Sequence, residues 1–145
     1  MAETWSAEWL VEQAPDAVIL ADREGIIRVW NAAAERVFGH SAEAALGQTL
    51  DIIIPERFRE AHWTGFHRAM AAGETKYVGR SLPTRSERNG EPIYVELGFA
   101  MIHNDTGEVI GALCHARDIT ERFQEERALR ARLRELEGTS EPPRA

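Results

Sequence analysis

The chain has 145 residues, of which 43% are apolar, and this fits one folded domain with short tails. Its formal net charge of −7, from 24 acidic and 17 basic residues, disfavours nucleic acid and anionic membrane as direct partners. A single cysteine, Cys114, excludes an internal disulfide, and no apolar stretch approaches the roughly 20 residues that cross a bilayer. Because the first residues also lack the pattern of a secretory signal, we expect a cytoplasmic protein.

The first half of the sequence predicts a hairpin followed by helices. Gly25 stands in a turn between two apolar stretches that are short enough to pair. Asn31 is a residue type that begins helices, Gly39 is one that ends them, and Pro55 fits a first helical turn. The predicted elements are, in chain order, a helix ending at Pro15, strands over 17–21 and 26–30, and helices over 31–38, 41–46 and 56–72.

The second half predicts three strands and a long helix. Asn89 and Gly90 form a strong signal for a two-residue hairpin turn. Pro83 cannot donate a hydrogen bond to a central ladder, so its strand should lie at an edge or carry a bulge. The predicted strands cover 75–88, 93–101 and 109–116, and Asp118 caps a final helix that runs to about Glu137.

This order of elements predicts an α+β fold. All five strands can pair antiparallel through short turns, with the middle helices on one face and one helix flanking each end. We expect an N-terminal helix over 1–14, a core domain over 15–119, a C-terminal helix over 120–137 and a disordered tail over 138–145. The sequence has no phosphate-binding loop, nucleophile elbow or cysteine pair for zinc, so we expect that it is not an enzyme.

The predicted helix over 56–72 carries the most informative side chain. At about 100° per residue, His62 falls on the apolar stripe of this helix, whereas His67 and Trp63 fall largely elsewhere. The stripe contains Phe58, His62, Phe66, Ala69 and Met70. A buried imidazole needs a partner or stays neutral, and neutral imidazole is a common ligand of haem iron. A core histidine bonded to a backbone carbonyl is the alternative.

The sequence resembles a PAS domain over about residues 5–125. The matching motifs are Ala14-Pro15-Asp16-Ala17-Val18, Gly25-Ile26-Ile27, Trp30-Asn31-Ala32-Ala33-Ala34-Glu35, Phe38-Gly39, Leu46-Gly47, Ile54-Pro55-Glu56 and Ala116-Arg117-Asp118-Ile119-Thr120-Glu121. The resemblance implies the PAS fold, a five-stranded antiparallel sheet with helices over a central pocket. Such domains are sensor inputs that bind a cofactor or metabolite, or they are dimerisation modules, and the fold alone does not select among these.

Residues 57–74 resemble the corresponding helix of oxygen-sensing haem PAS domains. In that family, a histidine at the position of His62 binds the iron, and an arginine at the position of Arg68 lies near a haem propionate. The resemblance therefore implies a b-type haem held by His62, with Phe66 on the same helix face and Tyr77 in the cofactor site.

The expected gas-facing wall departs from that family. The oxygen sensors carry an arginine on the strand after this helix, where the present sequence has Leu82, and Leu97 and Phe99 add further apolar surface. Arg80 could substitute only if the register shifts. Carbon monoxide and nitric oxide depend less on a donated hydrogen bond than oxygen does. We therefore expect a diatomic gas of this kind, or a redox change, as the signal.

Two other functions stay open at the level of sequence. One is a cofactor-free PAS module that dimerises and regulates a partner in transcription or two-component signalling. The other is a PAS sensor of an organic metabolite. A flavin adduct is disfavoured because Cys114 lies on the last strand and not on a middle helix. We expect none of the remaining histidines to bind a metal; they are His40, His103 and His115.

The terminal helices predict an oligomer. Leu129, Leu133 and Leu136 follow the four-then-three spacing of a short coiled-coil seam. Trp5 and Trp9 give the first helix an apolar face. We expect a homodimer that forms through these helices and signals to a separate effector protein.

Overall fold

The computed structural model describes residues 3–76 and 82–138, except for the side chain of Leu82. The helices are α1 (Ala7–Glu12), α2 (Ala32–Phe38), α3 (Ala42–Ala45), α4 (Arg59–Ala72) and α5 (Thr120–Gly138). Two short 3₁₀ segments, Leu50–Ile53 and Glu56–Phe58, precede α4. The strands are β1 (Ala17–Asp22), β2 (Ile27–Trp30), β3 (Leu82–Arg88), β4 (Glu91–His103) and β5 (Val109–Asp118). The chain is therefore an α+β protein.

The strands form one five-stranded sheet in the order β2-β1-β5-β4-β3, and each neighbouring pair is antiparallel. Pro83 lies on β3, which is an edge strand, so the predicted edge position is confirmed. Asn89 and Gly90 both have positive φ in the turn between β3 and β4, as the predicted hairpin requires. The first and last strands of the chain pair in the middle of the sheet, with Ala17 facing Ala116.

The core lies between one face of the sheet and helices α2 and α3. Ile19, Val95 and Ala116 are buried on this inner face, because strand residues two apart point to the same side. Phe38 on α2 is fully buried against them, and its ring lies 5.7 Å from that of Trp30. The other buried members of this core are Ala17, Ile27, Ala34, Ala45 and Ile93.

Asn31 connects three parts of the fold. Its side-chain oxygen accepts hydrogen bonds from the backbone N–H groups of Ala34, at 3.0 Å, and Val18, at 2.9 Å. Its amide nitrogen donates to the carbonyl oxygens of Val11 and Asp16. The predicted cap of α2 is thus confirmed, and the same buried side chain also ties β1 and the end of the N-terminal segment to that helix.

Three predicted boundaries are wrong. The first helix covers only Ala7–Glu12 rather than 1–14, and it ends before the short turn that leads into Pro15. The helix predicted over 56–72 begins as a separate 3₁₀ turn, so its α-helical part starts at Arg59. The third strand does not include residues 75 and 76, since a turn at residues 73–76 follows α4, and its described part is Leu82–Arg88. Residues 77–81 of the predicted strand lie outside the described residues.

Helix α5 leaves the sheet after its first turn. Asp118 accepts hydrogen bonds from the backbone N–H and hydroxyl of Thr120, so the predicted capping role is confirmed. Ile119 is buried and the Phe123 ring stacks on Tyr94 at 3.9 Å, whereas every residue from 124 to 138 is exposed. The remainder of the predicted disordered tail, residues 139–145, lies outside the described residues. None of the described helices is long and apolar enough to span a membrane.

Candidate functional site

Helix α4 is held beside the core at both ends. Near its start, the Arg59 guanidinium donates to the carbonyl oxygens of Ile54, at 3.0 Å, and Asp51, at 3.2 Å. At its end, Gly73 takes positive φ and lies close to Val109 of β5. These contacts fix the angle at which the helix presents its side chains.

His62 is the candidate ligand, and it is half-buried on α4. Its ring centre lies 4.9 Å from that of Trp63 and 6.1 Å from that of Phe66. The Nδ1 atom is fully buried and has no hydrogen-bond partner in the described part of the chain. Burial lowers the pKa of His62 below its ordinary value of 6.5, and this effect outweighs the attraction of Asp51. The side chain is therefore a neutral imidazole with an unused nitrogen at neutral pH.

Trp63 is a site residue that the helical periodicity did not predict. Its indole N–H donates a 2.7 Å hydrogen bond to the Asp51 carboxylate. Its ring covers Gly25 in the turn between β1 and β2, so closely that a side chain at Gly25 would collide with it. Since Trp63 is half-buried and stacks edge-on against His62, it fixes one side of the imidazole.

The other expected residues of α4 divide into buried and exposed groups. Phe66 is the buried residue of the helix, while Ala69 and Met70 are half-buried. Phe58 is 40% exposed, so its predicted place on a buried stripe is wrong. Arg68 is exposed, and so is His67, as predicted.

The sheet supplies the expected apolar wall in part. Leu97 and Phe99 of β4 are half-buried and share the inner face, because they pair with Ala116 and Cys114 of β5. Burial raises the pKa of the Cys114 thiol to about 12, so this group stays protonated at neutral pH. Leu82 faces Leu97 across the ladder by its backbone register. The expected roles of Tyr77 and Arg80 fall on residues outside the described part.

The remaining histidines have separate surroundings. His40 is half-buried, and its Nε2 lies 3.3 Å from the carbonyl oxygen of Ile52. His103 and His115 are exposed on β4 and β5. Among the described residues, no group of three or more His, Cys, Asp or Glu side chains could hold a metal ion.

The neutral state of His62 gives a prediction for the cofactor-free protein. The unfolded chain binds a proton at this residue more readily than the folded chain, so protonation favours unfolding as the pH falls through about 6.5. We expect the urea midpoint to fall between about pH 7.5 and 5.5 more steeply in the wild type than in His62→Gln. His67→Gln, at an exposed position, should keep the wild-type slope. Equal slopes in all three proteins would contradict the burial of His62.

The antiparallel sheet and its helices match those of a known domain family. Residues 11–124 match the model of the family described as PAS fold, so the chain belongs to the PAS family. The resemblance that rested on sequence motifs is thereby confirmed.

Among curated proteins, the chain is similar to the sensor protein FixL of Bradyrhizobium diazoefficiens, with 33% identity over 85% of the chain. It is also similar to the signal transduction histidine-protein kinase AtoS of Escherichia coli, with 29% identity over 83% of the chain. The chain spans only 23% of the length of FixL and 19% of AtoS. One relative is a sensor protein and the other a signal transduction kinase, and this chain corresponds to one segment of each.

Solved PAS structures share the fold. The PAS domain of BvgS from Bordetella pertussis has 25% identity and a TM-score of 0.62, covering 84% of this chain and 90% of that one. A PAS domain from Colwellia psychrerythraea has a TM-score of 0.67 at 24% identity, covering 79% of this chain and 94% of that one. The second likeness is evidence of the fold alone.

Proposed function

We propose that this PAS domain binds a b-type haem through His62 and senses a diatomic gas or a redox change. The observation that carries the proposal is the buried Nδ1 atom of His62, which has no partner within the described residues. A buried polar atom without a hydrogen bond costs free energy, on the order of 1–3 kcal/mol, and such a cost is often retained for function. A cofactor bound against the imidazole would provide a binding partner for this side chain.

The surrounding residues fit such a group. The imidazole is neutral, which is the form that binds iron. Phe66 beside it on α4, and Leu97 and Phe99 on the inner face of β4, are apolar side chains suited to a flat macrocycle. Arg68 is exposed on the same helix and supplies the positive charge that a propionate at the protein surface needs.

Haem would supply an iron centre that binds small gases and changes oxidation state. The chain would then hold the iron through His62, limit the rotation of that imidazole through Trp63 and exclude water with the apolar wall. Trp63 can do this because its indole is fastened to Asp51 and packed on Gly25. A preorganised ligand of this kind is typical of cofactor sites.

An absorption spectrum tests the proposal. We expect the protein, purified and incubated with equimolar haem, to show a Soret band that shifts when carbon monoxide is added to the reduced sample. Haem mixed with a PAS domain that lacks a histidine at this position is the control for nonspecific binding. Free-haem absorption with no protein-dependent shift would favour a metabolite sensor or a cofactor-free module.

The second candidate function is dimerisation, which the terminal helices favour whether or not haem binds. Trp5, Trp9 and Leu10 are 75%, 56% and 59% exposed at the N-terminus. Leu129 and Leu133 are 67% and 55% exposed on α5. Large apolar side chains exposed together mark interaction sites. We infer a homodimer that forms through the terminal helices and signals to a separate effector in transcription or two-component signalling.

The base of α5 provides a path from the sheet to that dimer. Arg88 of β3 forms a 2.9 Å ion pair with Asp118, which caps α5. Thr120 of α5 accepts a hydrogen bond from the backbone N–H of Tyr94 on β4. A change at the inner face of β4 would therefore reach the start of α5 through hydrogen bonds and not through a flexible linker.

A further inference from the structure

One buried side chain holds the end of α1 and the residue that leads into β1. The amide nitrogen of Asn31 donates to the carbonyl oxygens of Val11, at 2.8 Å, and Asp16, at 3.1 Å. Asn31 is 1% exposed, and its side-chain oxygen is also engaged, by the backbone N–H groups of Val18 and Ala34. Because such a fully bonded buried group is rigid, we expect a displacement of α1 to move Asp16 with it.

The side chain of Asp16 continues this connection to the last strand. The guanidinium of Arg117 donates to both carboxylate oxygens of Asp16, at 2.9 and 3.1 Å. Paired bonds of this kind fix the geometry of two side chains more firmly than a single contact does. The neighbouring residues Ala17 and Ala116 face each other across β1 and β5. The entry into β1 is therefore fastened to β5 by its side chain as well as by the sheet.

Glu96 of β4 carries the connection from Arg117 to α5. The two residues are partners in the ladder between β4 and β5, and they lie on the outer face of the sheet, because the adjacent Ala116 is buried on the inner face. They form no direct ion pair in the described part of the chain. The hydrogen bonds and charge of Asp16 raise the pKa of the Arg117 guanidinium, and the charge of Glu96 raises it further. The Glu96 carboxylate in turn accepts a 3.0 Å hydrogen bond from Arg122 of α5.

Four charged side chains of alternating sign thus run from the start of β1 to the base of α5. We call them the outer-face charge row, and its members are Asp16, Arg117, Glu96 and Arg122. We propose that this row carries a displacement of α1 to the base of α5 without passing through the site at His62. An isolated exposed ion pair contributes little, whereas several charges in a network with one forked pair act together. The domain then takes a second input, a mechanical one from its N-terminal side, in addition to any molecule bound beside His62.

Amide exchange measured by NMR on the full chain, without cofactor, tests this route. Asp16 lies at the end of the row away from α5, yet Asp16→Asn should raise the exchange rates of the α5 amides at residues 123–127 roughly threefold, because the base of α5 loses a restraint. In a Glu96→Gln background the same substitution should add nothing, since the row is already interrupted. In a His62→Ala background it should keep its full effect, because the route does not use that side chain.

Glu108→Gln is the matched control. Glu108 is an exposed carboxylate that pairs with Arg23 at 3.2 Å, but it lies at the opposite end of β5 from α5, so this variant should leave exchange in α5 unchanged. Unchanged exchange in Asp16→Asn, an equal rise with and without Glu96, or loss of the effect in His62→Ala would overturn the route. An equal rise at the core amides of Ile19 and Val95 would also overturn it, because the variant would then destabilise the whole domain. None of these outcomes bears on haem binding, which is measured separately.

Discussion

His62→Ala should abolish stoichiometric haem binding while the domain stays folded. The substitution removes the proposed iron ligand and leaves the apolar wall in place, so haem could be held only by nonspecific contact. We expect affinity to fall by at least about 100-fold, since losing a group that merely orients a metal ligand already costs 10–100-fold. The fold should survive, because the imidazole is half-buried and its Nδ1 atom has no hydrogen-bond partner in the described part of the chain.

Haem titration followed at the Soret band measures the loss, and circular dichroism with a thermal melt reports the fold. His67→Ala is the matched control, because it removes the same side chain from an exposed position of the same helix. His62→Gly adds a positive test, since free imidazole could enter the space and restore the haem spectrum. Normal haem retention in His62→Ala would exclude this residue as the ligand and direct attention to His67.

The caps and turns that depend on a few neighbouring residues could be predicted from the sequence. Asn31 and Gly39 bound α2 as expected, because a capping side chain and a positive φ depend on a few neighbouring residues. The turn at Asn89 and Gly90 and the edge position of Pro83 are equally local requirements. The further bonds from Asn31 to Val11 and Asp16 were not predictable, since they need the N-terminal segment already folded back against α2.

The candidate site was harder to predict, because helical periodicity gives only the direction of each side chain. It takes no account of side-chain size or of contacts with distant elements. The segment before α4 is a separate 3₁₀ turn, and Phe58 at its end is 40% exposed instead of buried with the rest of the stripe. Trp63 falls off that stripe on a helical wheel, yet its large indole reaches the turn at Gly25 and the carboxylate of Asp51. The contact between Gly25 and Trp63 joins residues that are far apart in the chain, so it produces no periodic pattern in the sequence.

A chain that ends at Glu126 should be a monomer, whereas the full chain should have twice its own mass of 16.3 kDa. The truncation removes Leu129, Leu133 and Leu136 but keeps Ile119 and Phe123, which pack on the domain. The exposed part of α5 would be only marginally helical alone, so its helicity should depend on the partner.

Light scattering at high micromolar concentration gives the mass of each protein, and far-ultraviolet circular dichroism shows whether helix is lost on dilution. Leu133→Gln should weaken the dimer in the full chain, whereas Arg134→Gln, one position further and outside the seam, should not. A full-length monomer would refute the dimer. A truncated protein that still dimerises would place the interface on α1, where Trp9→Ala would then be the informative variant, or on the sheet. In that case α5 would have to transmit the signal to the effector and not to a second copy.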